Sequence, residues 1–167
     1  MSEVSLAPNL ILRRLEHEPG LHLRELARQV ELPLGTVRYH LARLEEKDAV
    51  VRHATRGFVR WFPRGDLSAQ DRSLISALRV YAQRMLIGAL LDHESARFSA
   101  LQAMTGLSPS TLSRNLRKLE RVGFLARGGS GAYHLADPAR VREGLTRYRR
   151  RFPELLAEAA MEVFGGL

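Results

Sequence analysis

Two stretches decide the fold: LRELARQVELPLGTVRYHLARLEEKDAVVR, from Leu23 to Arg52, and FSALQAMTGLSPSTLSRNLRKLERVGFLAR, from Phe98 to Arg127. Laid over each other without gaps at an offset of 75 residues, they share Leu26 with Leu101, Leu32 with Leu107, Thr36 with Thr111 and Leu41 with Leu116. Leu44 then falls on Leu119, Glu45 on Glu120 and Arg52 on Arg127. Apolar character is kept where identity is lost, as at Leu23 and Phe98, Val37 and Leu112, and Val50 and Leu125. Chance pairing of leucine-rich helices would account for the leucines. It does not account for the shared Thr ahead of the second helix or the shared Leu-Glu pair near its end. An internal repeat of one structural unit is the better reading.

Each copy reads as helix, turn, helix and short β-ribbon. In the first, Leu23, Leu26, Ala27 and Val30 recur at helical spacing, and Pro33 in the run Glu31 to Gly35 ends that helix and suits the start of another. The second helix is expected from about Pro33 to Lys47, with Val37, Leu41 and Leu44 as its buried stripe. Its opposite face then carries Gly35, Tyr39, Ala42, Arg43 and Glu46, with Thr36 and Arg38 on the flanks. In the second copy, Ser108 is a good N-cap and Pro109 suits the first helical position. Leu112, Leu116 and Leu119 face its core, leaving Ser110, Arg114, Arg117, Lys118 and Arg121 outside or on the flanks. Ribbons follow: Val50 to Arg52 and Phe58 to Phe62 about a tip at His53 to Gly57, then Phe124 to Arg127 and Ala132 to Leu135 about the glycine-rich tip Gly128 to Gly131.

The runs Gly20-Leu21-His22-Leu23-Arg24-Glu25-Leu26-Ala27-Arg28 and Gly35-Thr36-Val37-Arg38-Tyr39-His40-Leu41 resemble archaeal and bacterial winged helix-turn-helix transcriptional regulators, including the group related to the MarR and ArsR families. Ser108 to Leu116 resembles the same unit. The resemblance implies a mainly α protein with small β-wings: two tandem winged helix-turn-helix modules, residues 1–66 and 67–136, and a C-terminal helical tail, 137–167. It also implies double-stranded DNA as the partner, with the second helix of each motif in the major groove and the wing on the backbone or minor groove. Carried over by position, Gly35, Thr36, Arg38, Tyr39 and Arg43 would face DNA from the first module. Ser110, Thr111, Ser113, Arg114 and Arg117 would do so from the second. Arg38 and Arg114 can bond the N7 and O6 edge of guanine, whereas Thr36, Thr111, Arg43 and Lys118 suit phosphates. On the wings Arg52, Arg56 and Arg60 suit a phosphate backbone or a narrow minor groove, and Arg127 is the charge nearest the second tip. For any one arginine a solvated helix face is the competing explanation.

Outside the repeat, Ser68-Ala69-Gln70-Asp71 reads as a helix cap. The expected long helix behind it places Leu74, Leu78, Tyr81 and Met85 on one stripe, beside Ile75, Ala82, Leu86, Ala89 and Leu90. In the tail, Asp137-Pro138 opens a helix with Val141, Leu145, Tyr148, Phe152, Leu155 and Ala159 at alternating spacings, interrupted by Pro153. Either apolar surface suits homodimerisation, and the tail's suits packing onto the second module equally well. The tail's arginines, from Arg140 to Arg151, suit phosphates or solvent alike.

Composition narrows the classes further. The 167 residues include no cysteine, which removes disulfides, thiolate metal sites and cysteine nucleophiles. No run has the length of a membrane span and the N-terminus lacks an apolar signal core, so the expected location is cytoplasmic, at the nucleoid. The net charge of +8 points to a polyanionic partner. Residues 1–66 hold 11 basic and 9 acidic side chains, or +2, and residues 67–167 hold 15 and 9, or +6. No catalytic motif stands out and His17 and His22 lack carboxylate company, so neither enzyme chemistry nor a cofactor is expected. Three readings stay open: a sequence-specific regulator, an architectural nucleoid-associated DNA coat, and a protein-interaction scaffold.

Overall fold

The computed structural model describes residues 3–55 and 58–151. It is mainly helical with two small antiparallel sheets. The chain divides into two compact units between Ser76 and Ala77.

The first unit opens with helix α1 (Glu3–His17), strand β1 (Leu21–His22) and helix α2 (Leu23–Gln29). Helix α3 (Leu34–Glu46), strands β2 (Val50–Thr55) and β3 (Phe58–Pro63) and helix α4 (Ala69–Leu78) follow, the last running across the division. Ile11 and Leu15 of α1 join Leu21, Leu26, Val37, Leu41, Leu44 and Val50 in one buried cluster. The repeat places no helix before Leu23, yet Ala7, Ile11 and Leu15 are buried at a spacing of four, the period of one helix face. Pro8 lies in the second turn of α1 and gives up one helical N–H bond there, early enough that the helix continues past it. The ribbon is also wider than expected: β1 adds to it, giving the order β1-β3-β2 with Leu21 opposite Trp61. Gly20 makes this possible. Its φ is +80°, and a Cβ there would stand 3.0 Å from Phe62 Cζ and 3.1 Å from Ile75 Cγ2.

The second unit repeats the plan. Helix α5 (Tyr81–Asp92) precedes α6 (Phe98–Thr105) and α7 (Pro109–Arg121), then strands β4 (Leu125–Arg127) and β5 (Tyr133–Leu135) and helix α8 (Pro138–Arg151). The offset of 75 carries through the backbone: α7 begins and ends 75 residues after α3, and α5 ends 75 residues after α1. Even the exits coincide. Lys47 N–H donates to the Arg43 and Glu45 carbonyls, and Val122 N–H to those of Lys118 and Glu120. Left-handed φ values fall on Glu31 (55°) and Asp48 (56°) in the first unit and on Gly106 (65°) and Gly123 (78°) at the matching positions of the second. Ala96, matching Leu21, forms a bridge with Tyr133 in place of a full third strand.

One expectation is corrected, and one left open is narrowed. The long helix expected from Ser68 through Leu90 is broken at Arg79-Val80, where Val80 is extended (φ −101°, ψ 112°). Buried Arg84 donates from Nη1 to the Leu78 carbonyl at 3.0 Å, satisfying an end that the break exposes. The break resets the helical phase, so Tyr81, expected on the apolar stripe, is exposed and lies 5.6 Å beneath the Arg84 guanidinium. The tail helix starts where expected, with Asp137 Oδ1 accepting from Arg140 N–H at 3.0 Å. Its residues Val141, Leu145 and Tyr148 are buried in the chain, so this part of the stripe is closed to a second copy. Phe152, Pro153, Leu155 and Ala159 lie outside the described residues. No single helix among the described residues is long and apolar enough to cross a membrane.

Candidate nucleic-acid interface

Each unit holds a helix, a turn and a second helix, followed by a ribbon. In the first unit α2 ends on Val30, Glu31 turns the chain through its left-handed φ, and Pro33 caps α3 without a side-chain bond. In the second, Gly106 makes the turn, and Ser108 caps α7 by accepting from Thr111 N–H at 3.3 Å. Val37, Leu41 and Leu44 anchor α3 from beneath, as Leu112, Leu116 and Leu119 anchor α7. The buried stripe fixes which side chains face outward.

Six positions make up the outer face of α3: Gly35, Arg38, Tyr39, Ala42, Arg43 and Glu46, all exposed. Tyr39 is 57% exposed, and the Arg43 guanidinium lies over its ring at 5.8 Å, a cation–π pair on the surface. Nothing approaches within 4 Å of a Cβ built on Gly35, so the first turn of the helix is open to an incoming surface. The matching positions of α7 hold Ser110, Ser113, Arg114, Arg117, Lys118 and Arg121, with Ser113 and Lys118 half-buried and the rest exposed. Thr36 and Thr111 are half-buried at the flank of each helix. The six positions of α3 thus hold two cations and one carboxylate, with exposed Glu45 beside them, and the matching six of α7 hold four cations and no carboxylate. Arg121 is not among the residues expected at the interface, although its spacing of four from Arg117 and seven from Arg114 puts it on the same stripe.

The ribbons treat their arginines unequally. Arg52 is exposed on β2 opposite Trp61. Arg60, expected as a surface contact, is instead 7% exposed and donates from Nη1 to the Gly20 carbonyl at 2.8 Å. It lies in phase with buried Phe62 on β3, and that phase turns it inward. Arg127 is tied down as well: Nε lies 3.2 Å from Glu120 Oε1, Nη2 bonds the Tyr133 hydroxyl, and the guanidinium sits 4.6 Å from that ring's centroid. Its exposed side remains accessible, but its geometry is set by the helix and strand it joins. Arg56 and Gly57, at the first tip, lie outside the described residues. Strands β2 and β3 have six residues each and β4 and β5 three, so at about 3.3 Å per residue the first ribbon runs roughly twice as long.

His53 on β2 has a pKa below the usual imidazole value, through burial and, secondarily, the nearby Arg72 cation. Its Nε2 lies 3.4 Å from Ser73 Oγ of α4, and its ring stands edge-on to Phe62 at 5.9 Å. Among the described residues no cluster of three or more His, Asp or Glu side chains could hold a metal ion.

Residues 7–75 match a family model described as an N-terminal HTH domain, and residues 85–129 match the IclR helix-turn-helix domain. An uncharacterized HTH-type transcriptional regulator of Methanocaldococcus jannaschii is 28% identical over 107 residues. That match covers 64% of this chain and 27% of the relative, so the chain spans about a quarter of that protein's length. Among solved structures, the mRNA-binding domain of elongation factor SelB from E. coli aligns over 81% of this chain and 98% of its own. Identity there is 16% and the TM-score 0.36. A protein from Corynebacterium diphtheriae aligns over 77% of this chain and 26% of its own, at 16% identity and a TM-score of 0.29.

Proposed function

We propose that this chain binds double-stranded DNA through two winged helix-turn-helix units and regulates transcription. The observation that carries the reading is the pair of second helices, α3 and α7, with identical bounds at an offset of 75 and outward faces of Arg, Lys, Ser and Tyr. An element of this kind fits the major groove, and the matches to two helix-turn-helix domains and to an HTH-type regulator support it. The motifs quoted above resemble MarR- and ArsR-related regulators, while the IclR-type match of the second unit favours a broader placement within winged helix-turn-helix proteins. We take the first unit as extending through Ser76 and not ending at Asp66, because Ile75 of α4 packs against Gly20.

The test is a titration of the full chain with fluorescent duplexes, enriched from a random pool and unenriched, across a salt series. Tight binding with a large preference for the enriched duplexes supports regulation. Comparable affinity for both, with steep salt dependence, would make the chain an architectural DNA coat. No duplex binding at low salt would discard the reading.

A further inference from the structure

We infer that the two units divide the labour of recognition: the first reads base sequence through Arg38 and Tyr39, the latter held by Arg43, and the second anchors the chain to phosphates through α7. This division rests on the proposed DNA binding and adds which residues determine specificity.

The two second helices share their bounds and their buried stripes, so equivalent residues occupy equivalent places on each surface. In a helix-turn-helix the N-terminal residues of the second helix contact base edges, and later turns pass the backbone. At the N-terminal outward positions α3 offers Gly35, Arg38 and Tyr39, and α7 offers Ser110, Ser113 and Arg114, the last one residue later than the place of Arg38 and already in line with Arg117 and Arg121. An arginine forks onto the two acceptors of guanine, whereas serine bonds to bases of either kind and discriminates little. Ser113, at the place of Arg38, is also half-buried. Ser110 is occupied locally, its hydroxyl 3.3 Å from that of Ser108.

From Arg114 on, the pattern reverses. Arg114, Arg117 and Arg121 form an exposed stripe over about two turns, about 10 Å at 1.5 Å per residue, with no carboxylate among the outward residues. The matching positions of α3 are Tyr39, Ala42 and Glu46, of which the last would repel a phosphate. Charge of one sign without a discriminating contact gives affinity that ignores sequence and depends on salt. A cation–π pair such as Tyr39 and Arg43 holds an aromatic face and a guanidinium in fixed relation, which suits a shaped contact more than a diffuse one.

Three variants of the full chain test this on duplexes enriched by the wild-type protein and on random duplexes. Arg38→Lys keeps the charge and loses the fork. Its specific-to-random affinity ratio should fall roughly 5- to 150-fold with the salt slope unchanged. Tyr39→Ala should lower the ratio in the same way. Arg114→Gln, Arg117→Gln and Arg121→Gln combined should weaken binding to both duplex classes alike. The log–log salt slope should become shallower by about 2.7, at about 0.9 for each phosphate no longer neutralised. All these side chains are exposed, and circular dichroism on each variant establishes that the fold is kept. A ratio unchanged in Arg38→Lys and Tyr39→Ala would overturn the inference. So would a ratio that collapses in the triple variant, or a wild-type chain that enriches no sequence. Absence of any duplex binding by the wild type would instead remove the DNA-binding reading beneath it.

Discussion

Arg60 and Arg52 occupy adjoining strands of one ribbon, and the two-residue period of a strand sends them opposite ways. Arg60 shares its face with Phe62, and its guanidinium satisfies the Gly20 carbonyl where β1 begins. A buried charge-assisted bond of this kind is worth about 2 kcal/mol, and its loss strands the carbonyl. Arg60→Ala should therefore lower unfolding stability by about 2 kcal/mol in denaturant titration, with Arg52→Ala within about 0.5 kcal/mol of wild type. Arg60's inward position is legible in its phase with Phe62, but its positive charge argues for the surface. His53 gives a second residue-scale expectation. Burial and Arg72 favour its neutral form in the folded chain, so below its ordinary value of 6.5 the unfolded chain takes up a proton that the folded chain resists. Its stabilising contribution is thus present above pH 6.5 and fades as the pH falls through the lowered folded value. The fall in melting temperature between pH 7.5 and pH 5.5 should be smaller in His53→Gln than in wild type; an equal fall would refute the coupling.

At the scale of elements, α5 and α7 are joined by a buried amide pair. Gln83 Nε2 donates to Asn115 Oδ1 at 3.2 Å, and Asn115 Nδ2 donates to the Thr111 carbonyl at 2.8 Å, with Asn115 only 4% exposed. Replacing Gln83 with Leu leaves buried Asn115 Oδ1 without that donor, which should cost about 1–3 kcal/mol by thermal or denaturant unfolding. Adding Asn115→Leu should restore part of the loss, because it removes the stranded acceptor as well. The pair is not legible in the sequence, since it joins residues 32 apart and neither carries a pattern signal. Helix α1 is missed because it lies outside the repeat and Pro8 argues against it, although Ala7, Ile11 and Leu15 keep a helical period that carries its signal. The break between α4 and α5 is not legible. Neither Gly nor Pro marks it, and it is supported by Arg84 reaching back to Leu78, a tertiary contact that propensity does not encode.

For the whole molecule, the repeat is the most readable feature because it emerges from comparing the chain with itself. Leucine periodicity defines α3 and α7 nearly to their ends, and the matched turn residues define the ribbons. Out of its reach is the unequal use of equivalent arginines, which depends on neighbours such as Glu120 and Tyr133. Charge is unequal as well, +2 before residue 67 and +6 from there on. If four phosphates are neutralised, duplex affinity should fall about a hundredfold between 50 and 200 mM salt, measured by fluorescence anisotropy. A fall of less than threefold would contradict an electrostatic footprint of that size.

Identical bounds for α3 and α7 also make the protein a natural scaffold for transplantation. The aliphatic layer beneath each helix is Val37, Leu41 and Leu44 in one and Leu112, Leu116 and Leu119 in the other, with buried His40 and Asn115 at matching places, so the outward six residues rest on floors of the same plan. Moving Gly35, Arg38, Tyr39, Ala42, Arg43 and Glu46 onto the second helix, and its six onto the first, changes no side chain of either leucine layer. Such a chimera should fold with a melting temperature close to that of the parent, since all six exchanged positions of α3 and four of the six of α7 are exposed, where substitutions cost little. A sequence preference that moves with the six residues from the first unit to the second would make this chain a reprogrammable reader, its instructions separable from the frame that holds them.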